Sequence, residues 1–435
     1  MPPLHPSRFS TQKIFLIRRR LDGLVFCLAA FMFLLPTETS VILFGIFLCM
    51  GIYLLVFRAR KALRHLDRTY LLVTLLFSAS SVAINIANGS LPEDYRWSSY
   101  PLYYLLVIPI VVGAVLVRDP LRQFVIGTRA ALVVLASWGL AEVAMGSVRP
   151  GFGANPANAA FALAFLAVIS RLNISSAPRL LANRHVFFYL GLIAVLTSQT
   201  RAVLPVFAVG MAFDLFHFLR GAASGWRPAG GRNMLIPVAA LAFCLASLSI
   251  LYPIYASRIH YTINEINHVI QNSDSANAPG LSIRFNQWRA AVSLIAENPL
   301  LGRCGAGVSE EILRNTPPGS NVNAQFTFVH NFILDEAIQR GLAGLTLLVG
   351  YFGFCFSRIY RYGDSAMREN VMLVLVLTFS FGLLHYLLVI DRHVVLYALY
   401  FALLTTAARG WRPPYHAGMA GSVPSVRTNR LAAQP

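Results

Sequence analysis

The chain has 435 residues, of which 56% are hydrophobic and only 12% charged, against about 25% charged in a soluble globular domain. That excludes a water-soluble fold and predicts an all-α polytopic membrane protein. The formal net charge of +18 raises nucleic acid as a partner, so the placement of the charges decides the matter.

Apolar runs of spanning length, about 17 to 25 residues, recur along the chain. They fall near 21–36, 41–57, 70–87, 101–117, 124–145, 157–170, 186–196, 202–219, 234–252, 342–356, 370–390 and 393–406, which makes about twelve transmembrane helices. The runs ending at Ser170 and Leu196 are short enough for a tilted or partly re-entrant path. Arg18-Arg19-Arg20 precede the first run as in a signal peptide, but no small-residue cleavage site follows, so the run reads as an uncleaved anchor. With residues 1–20 cytoplasmic, alternate loops and the tail collect about 25 of the 36 basic residues, as the positive-inside rule requires. The surplus orients helices, and nucleic acid is not expected as a partner. The basic residues left on the outer loops are all arginine, since Lys13 and Lys61 are the only lysines. Either this suits an anionic phosphate ligand, which a guanidinium grips bidentately, or it reflects a coding preference for arginine.

The expected layout is a membrane region of about nine helices at 21–252, an outer helical loop at 253–340, about three more spans at 341–408, and a disordered cytoplasmic tail at 409–435. The first chemical stretch is RPGFGANPAN at 149–158, whose glycines and prolines break the helix and expose backbone groups. Asn155 is placed to cap the next span ahead of Pro156. A tight outer turn, LTSQTR at 196–201, puts Arg201 at the membrane edge, where it can also be a snorkelling anchor.

The long outer loop opens with Ile259, Ile263, Ile266 and Ile270 at helical spacing. It continues with Arg284 and Arg289 on a helix whose apolar stripe is Phe285, Trp288, Val292 and Ile295, ending at Asn298-Pro299. Arg284 and Trp288 are spaced for a cation–π pair. Arg303 follows among glycines that permit close backbone approach, without the spacing of a phosphate loop. A polar flap at 315–325 leads to His330 and Asn331. An imidazole there can take a proton near neutral pH or can simply cap and pack. Glu336 and Arg340 are spaced as a helix ion pair. Asp391-Arg392-His393 form the last outer turn, as a salt-bridged corner or a substrate contact. His385 looks isolated. No metal-ligand spacing stands out on the outer loops, so no metal or other cofactor is expected.

Taken in order, 149–158, 196–201, 284–307 (RFNQWRAAVSLIAENPLLGRCGAG) and 330–344 (HNFILDEAIQRGLAG) resemble the bacterial O-antigen ligase and polymerase superfamily. The resemblance implies a GT-C-like glycosyltransferase that moves a glycan from undecaprenyl pyrophosphate to an acceptor hydroxyl at the periplasmic face of the inner membrane, inverting the anomeric carbon without a metal. A ligase would take lipid A-core as acceptor; a polymerase, another lipid-linked glycan; a related branch, a protein side chain. The single dominant outer loop and short tail favour the ligase over the protein-modifying branch, and the polymerase stays as the alternative because the chemistry is shared. It further implies that Arg201 and Arg284 hold the pyrophosphate, with Arg149, Arg289 and Arg303 in support, and that His330 serves the acceptor hydroxyl. Asn155, Asn158, Asn331, Asp391 and Arg392 complete the expected substrate-binding set. A lipid-linked glycan transporter would instead predict midplane charges and repeated halves, and neither is evident.

Overall fold

The computed structural model describes residues 67–89, 100–105, 119–147, 149–152, 155–174, 177–223, 281–303, 308–316, 328–388 and 390–408, with scattered positions elsewhere. The spans expected at 21–36, 41–57, 101–117 and 234–252, the run from Ile259 to Ile270, the flap at 315–325 and the tail lie wholly or largely outside these residues. Every regular element among the described residues is helical: α1 (Arg68–Ala87), α2 (Pro120–Ala144), α3 (Pro156–Ser170), α4 (Arg184–Thr197), α5 (Leu204–Ala223), α6 (Leu281–Glu297), α7 (Val308–Arg314), α8 (Phe332–Tyr362), α9 (Ser365–Gly382) and α10 (Asp391–Ala408), with short 3-10 turns at Arg179–Leu181 and Arg201–Val203.

The helices start where the sequence supplies caps. Asp67, Asp119, Asn155, Asn183, Asn331 and Asp364 each accept hydrogen bonds from first-turn N–H groups. Pro120 and Pro156 occupy the first turn, where a missing N–H costs nothing. Among the described residues four helices are long and apolar enough to cross a membrane: α1, α2, α8 and Arg201–Arg220. Shorter apolar helices at 156–170, 184–197 and 392–408 join them, and the chain is a multi-pass membrane protein.

Helix α3 is the centre of the bundle. Apart from Asn158, every residue from Ala157 to Ser170 is buried, as expected of a helix that is apolar all round. Its small side chains let α4 approach closely: a Cβ on Gly191 would lie 2.4 Å from that of Ala167. Helices α2, α4 and α9 pack around it, and α8 crosses between α1, α9 and α10. At the end where α3 terminates, Arg129 donates to the carbonyls of Ser170, Leu172 and Leu181, supplying partners for carbonyls that a helix end leaves bare. Nearby, Arg171 pairs with Asp214 at 2.6 Å, and Arg358 pairs with Asp67.

The expected span at 370–390 is shorter in the structure. Helix α9 stops at Gly382, where the missing side chain makes room for the Phe332 ring, and 383–388 follow outside any helix. Helix α8 is kinked at Gly341, whose φ is +62°. The segment after α6 fills that kink: Arg303 N–H donates to the Ile338 carbonyl, while Leu342 and Ala343 N–H donate to the carbonyls of Pro299 and Leu300. Gly302 and Gly341 meet backbone to backbone, so that a Cβ on either would fall within 2.5 Å of main-chain atoms of the other segment. The Asn-Pro-Leu-Leu-Gly and Arg-Gly-Leu-Ala-Gly stretches are therefore two halves of one joint.

Candidate active site

The four sequence stretches meet at one end of the bundle. Arg149 donates from Nε to the Ser198 carbonyl at 3.2 Å, tying the first stretch to the second. The Thr200 hydroxyl reaches the Pro156 carbonyl at 3.5 Å. His393, in the first turn of α10, donates from Nε2 to the Asn158 carbonyl at 3.4 Å and lies against Phe161. Among the described non-glycine residues only Asp119, Phe152, Gln199 and His330 have left-handed φ. Three of these sit in the motif stretches, and strained backbone of this kind persists where surrounding contacts over-determine it.

His330 shows how that is done. The preceding backbone is held by α6, where Gln287 donates to the Phe328 carbonyl at 3.3 Å and Trp288 donates to the Val329 carbonyl at 2.8 Å. On the other side Val329 N–H donates to the buried Asp335 carboxylate at 2.9 Å, and the Asn331 side-chain oxygen accepts from Ile333 and Leu334 N–H to start α8. His330 itself lies 3.1 Å from Nδ1 to the Phe328 carbonyl. A carbonyl only accepts, so Nδ1 carries the proton and the lone pair of the neutral ring sits on Nε2. Burial, and after it the charge of Arg284, lowers the His330 pKa to about 4 against the smaller opposing effect of the Phe328 bond. The imidazole is neutral at pH 7.

Helix α6 turns only one edge of its apolar stripe inward, with Trp288 and Ile295 packed at the margin of the buried face. Phe285 and Val292 are 53% and 57% exposed, and the buried face is Gln287, Ala290, Ala291 and Leu294, packed on Val308, Ile312, Val329 and Ile338. Small residues let α6 sit close to α8, and the Gln287 amide is needed inside to hold the Phe328 carbonyl. Trp288 spends its N–H on the same loop.

The remaining predicted residues separate into two groups. The charges of Arg149 and Arg284 both lower the His385 pKa, and that of Arg284 also lowers the His330 pKa. A cleft of about 510 Å³ opens beside Arg149, between Glu142, Ser147, Gly151 and Phe152. Arg201 opens the 3-10 turn three residues after Ser198, which Arg149 grips, and Arg392 neighbours His393. Asp391 begins α10. Others are committed to the fold. Asn155 and Asn331 use their side-chain oxygens as helix caps, and Asn158 meets His393 through its main chain. Arg303 sits between Glu297 at 2.6 Å and Glu311 at 3.0 Å, while Arg289 lies on the exposed face of α6. The Glu336–Arg340 pair is a buried bidentate bridge, with side chains 1% and 0% exposed, completed by the Tyr100 hydroxyl and Asn85.

Sequence spacing missed three residues. Asp335 is a carboxylate in the first turn of an apolar helix, a placement that could have marked it as holding something back toward the loop. Tyr386 packs its ring 5.3 Å from that of His330 and 5.0 Å from that of Phe328. His385, far from isolated, has its ring 6.5 Å from His330. Among the described residues no three His, Cys, Asp or Glu side chains gather as a metal-binding group.

Residues 186–349 match the family model described as O-antigen ligase. That region contains Arg201, Arg284 and His330, while Arg149, which the fold ties to Ser198, lies outside it, as do Asn158 and Arg392. No curated protein matches the chain. The matched region spans the loop that presents His330 and the joint that positions it, and over that region the chain is similar to the O-antigen ligase family.

Proposed function

We propose that this protein transfers O-antigen polysaccharide from undecaprenyl pyrophosphate to a sugar hydroxyl of lipid A-core, at the periplasmic face of the inner membrane and within a GT-C-like architecture. The observation that carries the reading is the meeting of the motif stretches at one end of the bundle, where Arg149 holds the Ser198 carbonyl and the charge of Arg284 acts on the neighbouring His330 and His385 rings. Nε2 of His330 takes the proton of the acceptor hydroxyl as its oxygen attacks the anomeric carbon from the face opposite the carrier. The bond between that carbon and the phosphate oxygen breaks, and undecaprenyl pyrophosphate leaves as an anion held by Arg284, Arg201 and Arg149. His330 then returns its proton to solvent or to the departing diphosphate. Guanidinium groups preset around the leaving oxygens stabilise charge as it develops, which is the largest contribution such a site can make.

A pKa near 4, set by burial and then by Arg284, makes His330 by itself a weak base, and a bound diphosphate would oppose the Arg284 part of that depression. Donor binding thus raises the basicity of His330 when the acceptor arrives. The test is reconstitution of purified protein with lipid-linked glycan and either lipid A-core or a second lipid-linked glycan. Glycan on lipid A-core supports the ligase; longer carrier-linked chains would show a polymerase; glycan crossing the bilayer without a new bond would overturn the enzyme reading.

A further inference from the structure

The end of the bundle opposite the motif stretches carries a groove that the transferase reading does not use. Helices α8 and α9 form a hairpin through Gly363 and Asp364, and both helices line this groove of about 610 Å³. Helix α9 contributes Arg368, Val371, Met372 and Leu375, which fall at i, i+3, i+4 and i+7 and so share one face. Helix α8 contributes Arg361 and Tyr360. The walls are thus cationic at the bundle end and apolar toward the middle of the span. Tyr360 and Tyr362 are exposed beside the arginines, as aromatic residues are at the level of lipid headgroups.

The positive-inside rule accounts for arginines in this part of the chain, but not for two of them, on separate helices, lining one groove. Other arginines at this end are neutralised, Arg358 by Asp67 and Arg171 by Asp214, whereas among the described residues no carboxylate lines the groove. Asp364, the carboxylate nearest in sequence, accepts from Met367 N–H to start α9. Arg368 is steadied by the Tyr360 carbonyl, to which it donates at 3.1 Å, a bond that uses Nε and not the terminal NH2 groups.

We infer that this groove binds an anionic phospholipid of the surrounding membrane: the phosphate lies between the Arg361 and Arg368 guanidinium groups, and an acyl chain runs along Val371, Met372 and Leu375. Such a lipid has the same polarity as the groove, an anion at the surface with hydrocarbon below it, and guanidinium groups grip phosphate oxygens bidentately. A free phosphate would leave the apolar wall unmet, and a lipid without net charge would leave the two cations uncompensated. The site is independent of the chemistry proposed above.

Native mass spectrometry of the full chain in detergent, incubated with equal amounts of dioleoyl phosphatidylglycerol and dioleoyl phosphatidylcholine, tests it, because these lipids share their acyl chains and differ in headgroup charge. Wild type retains one phosphatidylglycerol per chain with about tenfold preference over phosphatidylcholine. Arg361→Gln/Arg368→Gln brings the two lipids to parity, while Arg179→Gln/Arg220→Gln, which removes the same charge from exposed positions at the same end, keeps the preference. Met372→Trp, at an exposed position, fills the apolar part of the groove and lowers phosphatidylglycerol retention, and it decides the matter if the Arg361/Arg368 glutamine variant does not fold. Equal retention of the two lipids by wild type overturns the site. So does a preference that survives in Arg361→Gln/Arg368→Gln or is lost equally in Arg179→Gln/Arg220→Gln, or retention left untouched by Met372→Trp.

Discussion

Two regions of the molecule differ in what stands beside their arginines. Away from the motifs, Arg171 is matched by Asp214, Arg358 by Asp67, and Arg129 by three carbonyls. These charges are closed within the fold, and they pin helices α1, α2, α3, α5 and α8 to one another. At the motif end Arg303 and Arg340 are also matched by carboxylates, Arg149 holds the Ser198 carbonyl, and the charges of Arg149 and Arg284 bear on the imidazoles, Arg284 on His330 and both on His385. Basic groups gathered around one another raise each other's energy, and an anionic ligand reverses the sign of that interaction. An arginine's function here is therefore decided by what the fold sets opposite it.

The strongest break of this comparison is His330→Ala. It should lower glycan transfer by about 10² to 10⁴ with membrane insertion unchanged, measured in the reconstituted reaction, and full activity would remove the imidazole from the chemistry. Glu336→Ala probes the opposite kind of charge at the same end. It strands Arg340 in a buried site, which costs about 3–5 kcal/mol, and the melting temperature in detergent should fall sharply. Arg284→Ala should cost about 10²–10³ in rate with little change in melting temperature, the reverse of Glu336→Ala; a structural arginine would show the opposite pattern.

Asn331 sharpens the comparison on a smaller scale. As a cap, Asn331→Ala should lose about 1 kcal/mol of stability, while Asn331→Asp keeps both cap and activity. Loss of activity in the aspartate variant, with stability retained, would make it a substrate contact. The smallest expected effect is that of pH on the free enzyme. Because the His330 pKa lies near 4, kcat/KM should stay level from neutral pH to about 5 and fall only as pH drops through about 4. The sign for stability follows: the folded value is below the unfolded one, so the neutral ring's contribution is complete above about 6.5 and is lost as pH falls toward 4. A fall in kcat/KM centred near 6.5 would show that His330 is not in this environment.

Several features were legible because they depend on near neighbours in the chain. Asn155 ahead of Pro156 announces a cap, and Glu336 and Arg340 announce an ion pair, since helical spacing alone brings such groups together. The inward face of α6 was not legible. Phe285 and Val292 give the stronger apolar signal, yet Ala290, Ala291 and Gln287 face in, because close approach to α8 and a donor for the Phe328 carbonyl outweigh side-chain hydrophobicity there. His385 was illegible for a similar reason: no local rule links a residue after α9 to one before α8.

The sequence by itself determined a multi-pass helical membrane protein, the starts of its helices, and the arginines and histidine of its motif stretches. Those follow from transfer of apolar side chains out of water, from capping and from the intrinsic chemistry of guanidinium and imidazole, all properties of short stretches. Only the tertiary structure decided which arginines are consumed by carboxylates and which confront imidazoles, that Gly302 and Gly341 form a single joint, and that His385 stands opposite His330. The physical reason is that electrostatic environment and close backbone contact belong to pairs of groups remote along the chain, and packing chooses the pairs.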